Sequence, residues 1–224
     1  MFGSTNSEER GGFSQMNIEK TADELYKLKK DCDWELITDI GKTALIDIRS
    51  EIDKLALSLS KEGIDLDQKS RIKSFESVLA KLESKGLEPT FDNIMKNIHD
   101  IAAARIIVTT EDDCYMIRDL LASSLTIVEE RDYIKNPKEN GYRSLHLIIE
   151  LHVRFNGTKY STKAELQIRT HGQNYWSILE HDLGYKNDLQ TEDSVQYFKS
   201  LSDTLHKVDT AYSKAKKKAK EQKK

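Results

Sequence analysis

Side chains able to bind phosphate, stack on a base and handle a metal or a proton crowd into one part of the chain, between positions 135 and 174. Lys135, Lys138, Tyr142 and Arg143 bring cations and an aromatic ring into a loop, and Glu165, Gln167 and Arg169 follow at alternate positions. Alternate residues of a strand share a face. Together these groups can hold a phosphorylated nucleoside: cations meet the phosphates, the ring stacks on the base, and the glutamine supplies orienting hydrogen bonds. The carboxylate is then left for metal or proton chemistry.

The elements that must position them are legible in the pattern. Asn156-Gly157 is a strong hairpin signal, because a type I′ turn needs positive φ at both central residues. A two-residue turn there pairs a strand from Ser144 to Phe155 with one from Thr158 to about Arg169. Leu147 then faces Leu166, Leu145 faces Ile168 and Ile149 faces Ala164, which makes an apolar face. The other face pairs His146 with Gln167, Ser144 with Arg169 and Ile148 with Glu165. Alternation of this kind also arises in any antiparallel sheet wet on one side; the loop that feeds the polar face is what raises a functional reading.

Elsewhere, Met16 to about Lys85 reads as helical. Ala44, Ile46, Ile48, Ile52, Leu55 and Leu59 form one stripe; Ile72, Phe75, Val78, Leu79 and Leu82 form another, stopped at Gly86. A short helix starts near Thr90, Arg105 to Val108 is a strand, Asp112 to Ser123 a helix, and a further strand begins at Thr126 to Val128. Helices follow from His171, and Val195, Phe198, Leu201, Leu205, Val208 and Tyr212 mark a seam for the body or a partner.

With 224 residues, 35 Lys+Arg against 38 Asp+Glu and 38% hydrophobic residues, the chain suits one core under solvated helices. Its apolar runs fall short of a membrane span, the N-terminus lacks signal-peptide order, and Cys32 and Cys114 are too few for a disulfide framework. These features predict a cytoplasmic protein, and the near-neutral charge argues against coating DNA. Residues 1–15 read as a disordered leader, 16–206 as the domain, and 207–224 as a basic tail with eight Lys against Asp209 and Glu221.

Five ordered motifs carry a resemblance: Arg71-Ile72-Lys73-Ser74; Asp100-Ile101-Ala102 with Arg105; Gly141-Tyr142-Arg143-Ser144-Leu145-His146; Glu165-Leu166-Gln167-Ile168-Arg169-Thr170; and Trp176 to His181. From about residue 65 to 186 the chain resembles the RelA/SpoT-type synthetase domain, in particular the small alarmone synthetases. The resemblance implies an α+β fold: a mixed, mainly antiparallel sheet with flanking helices, as in nucleotidyltransferase-like synthetases. It also implies transfer of the β,γ-pyrophosphate of ATP to the 3′-hydroxyl of GDP or GTP. By motif match, Asp100 and Glu165 would hold Mg²⁺, and Glu165 would also be the base. Arg71, Lys73, Lys81 and Arg105 would bind ATP. Lys138, Tyr142, His146, Gln167 and Asn174 would serve the acceptor. The family commonly has Gly after Asp-Ile-Ala, where this chain has Ala103 and Ala104, so the ATP pocket carries an added Cβ. On this length no hydrolase domain is expected.

Rival readings share these residues. Some members of this family are toxins that pyrophosphorylate the 3′ end of tRNA, and a lysine-rich tail could follow an RNA backbone. An inactive nucleotide- or RNA-binding module is a third possibility, disfavoured by the presence of both Asp100 and Glu165. Relatives are often homotetramers, and the C-terminal seam could serve self-association or an antitoxin. Arg71 and Lys73 could be ordinary helix-surface charges, while Trp176 reads as packing. The histidines show no zinc spacing.

Overall fold

A computed structural model describes residues 20–61, 64–185 and 192–222. The leader expected at 1–15 lies outside the described residues. Two helices, α1 (Ala22–Asp31) and α2 (Trp34–Ser60), precede strand β1 (Asp67–Ile72). Next come α3 (Phe75–Glu83), α4 (Phe91–Asn97), β2 (Ala102–Val108), α5 (Glu111–Leu121) and β3 (Thr126–Asp132). The hairpin β4 (Leu145–Phe155) and β5 (Thr158–Thr170) leads into α6 (His171–Glu180), a π-helical turn over His181–Tyr185, and α7 (Glu192–Glu221). One five-stranded sheet runs β1-β2-β5-β4-β3. Only the β2–β5 pair is parallel, so the mixed, mainly antiparallel α+β architecture expected from the resemblance is the one observed.

The hairpin register is the predicted one. Phe155 pairs with Thr158, Leu147 with Leu166 and Leu145 with Ile168. Asn156 and Gly157 take φ of 46° and 81°, as a type I′ turn requires. Because residues alternate sides, Leu145, Leu147, Ile149, Ala164, Leu166 and Ile168 all enter the core. On that side α2 lays Ile40, Ala44, Ile48 and Ile52 across the sheet, and α5 adds Cys114, Ile117 and Leu121. A second cluster joins α1 to α4, with Phe75, Val78, Leu79 and Leu82 of α3 packed on Ile94, Ile98 and Ile101.

Capping defines where strands hand over to helices. Thr110 and Thr170 each close a capping box directly after the parallel strands, starting α5 and α6. Gly86, with φ of 67°, ends α3 as its position suggested, the Leu87 amide donating back to the Leu82 carbonyl at 3.0 Å. No helix among the described residues is long and apolar enough to cross a membrane.

One sequence expectation fails here. Residues 67–72 form a strand, not part of a helical run: Ile72 ends β1, and α3 begins only after the Ser74 cap. Asp-Gln-Lys-Ser-Arg-Ile has a single apolar residue, so this edge strand leaves no hydrophobic period to read. On α7 the expected seam divides: Phe198 is buried, Val195, Leu201 and Leu205 are half-buried, and Val208 and Tyr212 are exposed, while the polar Ser202 and Asp209 are buried beside it.

Leu166 is fully buried between α2 and the sheet. We predict that Leu166→Ala lowers the unfolding free energy by about 2–5 kcal/mol in urea titrations, whereas substitution of exposed Lys159 on the same strand leaves it nearly unchanged.

Candidate functional site

The register that buries Leu166 turns Glu165, Gln167 and Arg169 to the opposite face. Parallel pairing then sets Ala103 beside Glu165 and Arg105 beside Gln167, and antiparallel pairing sets His146 beside Gln167. Five side chains close a hydrogen-bonded ring on this platform. Arg169 Nη2 donates to the Tyr142 hydroxyl at 2.5 Å and to Gln167 Oε1 at 2.8 Å. Gln167 Nε2 donates to Glu165 Oε1 at 2.6 Å. His146 completes the ring, with Nδ1 3.2 Å from Glu165 Oε2 and Nε2 2.7 Å from the Tyr142 hydroxyl. An ionised carboxylate only accepts, so the His146 Nδ1 that faces Glu165 carries a proton.

Burial pushes the Glu165 carboxyl up, but the hydrogen bond and charge of His146, together with Gln167, outweigh it and leave the pKa below its ordinary value of 4.5. Asp100 lies in the turn before β2 and is close enough for its charge to act on Glu165. Lys73 Nζ reaches Asp100 Oδ2 at 3.1 Å, and Lys81 Nζ reaches Oδ1 at 2.9 Å. Backbone pairing positions the first of these, the Lys73 amide donating to the Ile101 carbonyl at 2.8 Å. Burial again opposes ionisation, and the two lysines overcome it, so Asp100 also titrates below its ordinary range.

Beside the acids, Lys69, Ser70 and Arg71 of β1, Ala103, Ala104 and Arg105 of β2, and Gln167 of β5 line a cavity of about 290 Å³. Arg105 Nη1 donates to Asn174 Oδ1 at 3.2 Å, while its buried Nε and Arg169 Nη1 have no partner. Burial first, then the charges of Arg169 and Arg71, lower the Arg105 pKa. Arg71 and Arg105 thus line the cavity with guanidinium groups that repel one another, and Arg105 keeps an unpaired buried donor, a combination that favours an anion.

These features have counterparts in known proteins. The region found in RelA / SpoT proteins matches residues 70–190. The chain belongs to the RelA/SpoT family. GTP pyrophosphokinase YwaC of Bacillus subtilis is 43% identical over 145 residues, 63% of this chain and 69% of that protein. GTP pyrophosphokinase YjbM of the same organism is 35% identical over 118 residues, 52% of this chain and 54% of that protein. The chain therefore spans about half the length of the latter relative. Small alarmone synthetase 1 from Bacillus subtilis, solved bound to its product pppGpp, superposes with a TM-score of 0.76 at 26% identity, covering 84% of this chain and 98% of that one.

Within this RelA/SpoT chain the expected residues fall into two groups. Asp100, Lys73, Lys81, Arg71 and Arg105 gather at the β1–β2 end, and Tyr142, His146, Glu165 and Gln167 share the ring. Asn174 bonds Arg105 and so sits with the first group. Lys138 lies 5.0 Å from the Tyr142 and Tyr133 ring centroids. Lys135 and Arg143 do not join the platform. Lys135 pairs with Asp132 and covers Tyr115, and Arg143 binds the Ile134 carbonyl and Asp203. Trp176 is packing, as expected, its Nε1 donating to the Phe198 carbonyl at 2.7 Å.

Sequence reasoning passed over Tyr133, which packs edge-on against Tyr142 and His146. Alternation from Ile127 would have turned it to the core; the register shift between Ile127 and Glu129 sets Arg131 opposite His146 and brings Tyr133 to the platform side. Arg169, which the alternation puts on the platform, supplies two of the ring's bonds.

Both acids titrate lower folded than unfolded. They therefore add stability that is complete at neutral pH and is lost as pH falls through the carboxylate range. Asp100→Asn should flatten the loss of stability below about pH 5, read by urea unfolding across that range. A slope identical to wild type would contradict the Asp100 assignment.

Proposed function

We propose that this chain transfers the β,γ-pyrophosphate of ATP to the 3′-hydroxyl of GDP or GTP, giving ppGpp or pppGpp and AMP. The single observation that carries the reading is the ionised, oriented Glu165 standing beside an arginine-lined cavity. A ribose hydroxyl is a poor nucleophile at neutral pH, so the site needs a base held against it. His146 and Gln167 fix the Glu165 oxygens. Phosphates arriving nearby add negative charge, which raises the proton affinity of that carboxylate toward the working range. The names of YwaC and YjbM, and the pppGpp held by small alarmone synthetase 1, support the same acceptor.

In this reading Arg71 and Arg105 flank the adenine, Lys73 and Lys81 approach the ATP phosphates, and Tyr142 and Lys138 receive the guanine nucleotide. His146, Gln167 and Asn174 orient the reacting groups. Asp100 and Glu165 suit Mg²⁺, since both are ionised oxygen donors, and Asp100 already attracts two ammonium groups. The ion would supply charge to the polyphosphate under attack. Lys73 and Lys81 then exchange a carboxylate for phosphate oxygens, so no buried charge loses its partner. The protein would act in the cytoplasm as a homo-oligomer, with a tetramer favoured. Tyr175, Ile178, Tyr197, Val208 and Tyr212, exposed on α6 and α7, support an association surface.

Incubation with Mg²⁺, labelled ATP, guanine nucleotide and tRNA in competition tests the reading. We expect label at the 3′ position of GDP or GTP; label on tRNA would reverse the choice of acceptor. Glu165→Gln should lower kcat by roughly 10²–10⁴-fold with ATP binding retained, because the base acts in the transition state. Unchanged turnover would remove Glu165 from the chemistry.

A further inference from the structure

The loop that carries Lys138 and Tyr142 is not held by the sheet alone. Its backbone folds on itself, the Gly141 amide donating to the Lys138 carbonyl at 2.8 Å and the Lys138 amide to the Tyr142 carbonyl at 3.2 Å. The loop then rests on one turn of α7. Ser202, 4% exposed, donates from Oγ to the Gly141 carbonyl at 2.5 Å. Next to it, Arg143 Nη2 donates to Asp203 Oδ1 at 3.3 Å.

Contact at Gly141 is close enough to exclude a side chain. Its φ is 90°, and a Cβ there would lie 2.8 Å from Ser202 Cβ and 2.9 Å from the Lys199 Cα. Glycine is thus required twice, by conformation and by space. The same helix also steadies the other end of the ring: Asp209 accepts a hydrogen bond from Thr170, the residue after Arg169. Farther along, Lys216 pairs with Asp113 at 3.0 Å, well away from the loop. Tyr142 and Arg169, which bond each other, are therefore each backed by α7.

We propose that Ser202 is a positioning residue for the acceptor nucleotide, setting Tyr142 and Lys138 through the Gly141 carbonyl. This rests on the acceptor role assigned to those two residues above. A loop fixed before binding loses less freedom when the nucleotide arrives, so the effect falls on acceptor affinity and not on the donor.

Steady-state kinetics of Ser202→Ala, with ATP and guanine nucleotide varied separately, tests the inference. We expect the acceptor KM to rise roughly fivefold, as for loss of one buried hydrogen bond, with kcat and the ATP KM within about twofold of wild type. Gly141→Ala should give the same split more strongly, and Lys216→Met on the same helix should not give it. Should Ser202→Ala fail to fold, Asp203→Asn replaces it, since that carboxylate is half-exposed and holds the same loop. Equal rises in both KM values, or an unchanged acceptor KM, would overturn the inference while leaving the synthetase reading intact. Wild-type protein that makes no 3′-pyrophosphorylated guanine nucleotide would instead sink that reading, and the acceptor role with it.

Discussion

Face alternation along β4 and β5 is the constraint on which the site depends. A slip of one residue would turn Glu165 and Gln167 into the core and Leu166 and Ile168 out to solvent. The Asn156-Gly157 turn sets the register from one end, and burial of Leu145, Leu147, Leu166 and Ile168, all fully enclosed, enforces it along the strands. Parallel pairing with β2 then carries the alternation sideways, so Ala103 and Arg105 share the face of Glu165 and Gln167. Chemistry on one side of the sheet is thus fixed by packing on the other.

Charge follows from that placement. Three guanidinium groups, Arg71, Arg105 and Arg169, act on one another near two acids, and donors on Arg105 and Arg169 remain unpartnered. The acids are each satisfied locally, Asp100 by lysines and Glu165 by the ring. What the cationic groups favour is further negative charge of the kind a nucleotide polyphosphate brings. Ala103, where the family resemblance led to the expectation of glycine, lines this cavity with a Cβ and no more.

Much of this was legible because the hairpin writes its own rules: a two-residue turn and a period of two suffice to name both faces. The strand-to-helix handovers were visible only in outline, with helices expected from Asp112 and from His171; the Thr110 and Thr170 caps emerge from the structure. β1 was not, since an edge strand built of Asp, Gln, Lys, Ser and Arg needs no apolar period when its neighbour provides the pairing. β3 shifts register between Ile127 and Glu129, a local irregularity that no periodicity reports and that obscured Tyr133. The α7 contacts escaped for another reason. Ser202, Asp209 and Lys216 bind partners distant in sequence, and such polar contacts leave no period to read.

In the proposed function Asp100 and Glu165 serve one nucleotide site together with Arg71 and Arg105. A crystal structure grown with a non-hydrolysable ATP analogue and Mn²⁺ addresses it most directly. An anomalous peak is expected within bonding distance of both carboxylates, with the purine between the two arginines. A metal bound away from either acid, or an analogue seated outside the β1–β2 cavity, would contradict it.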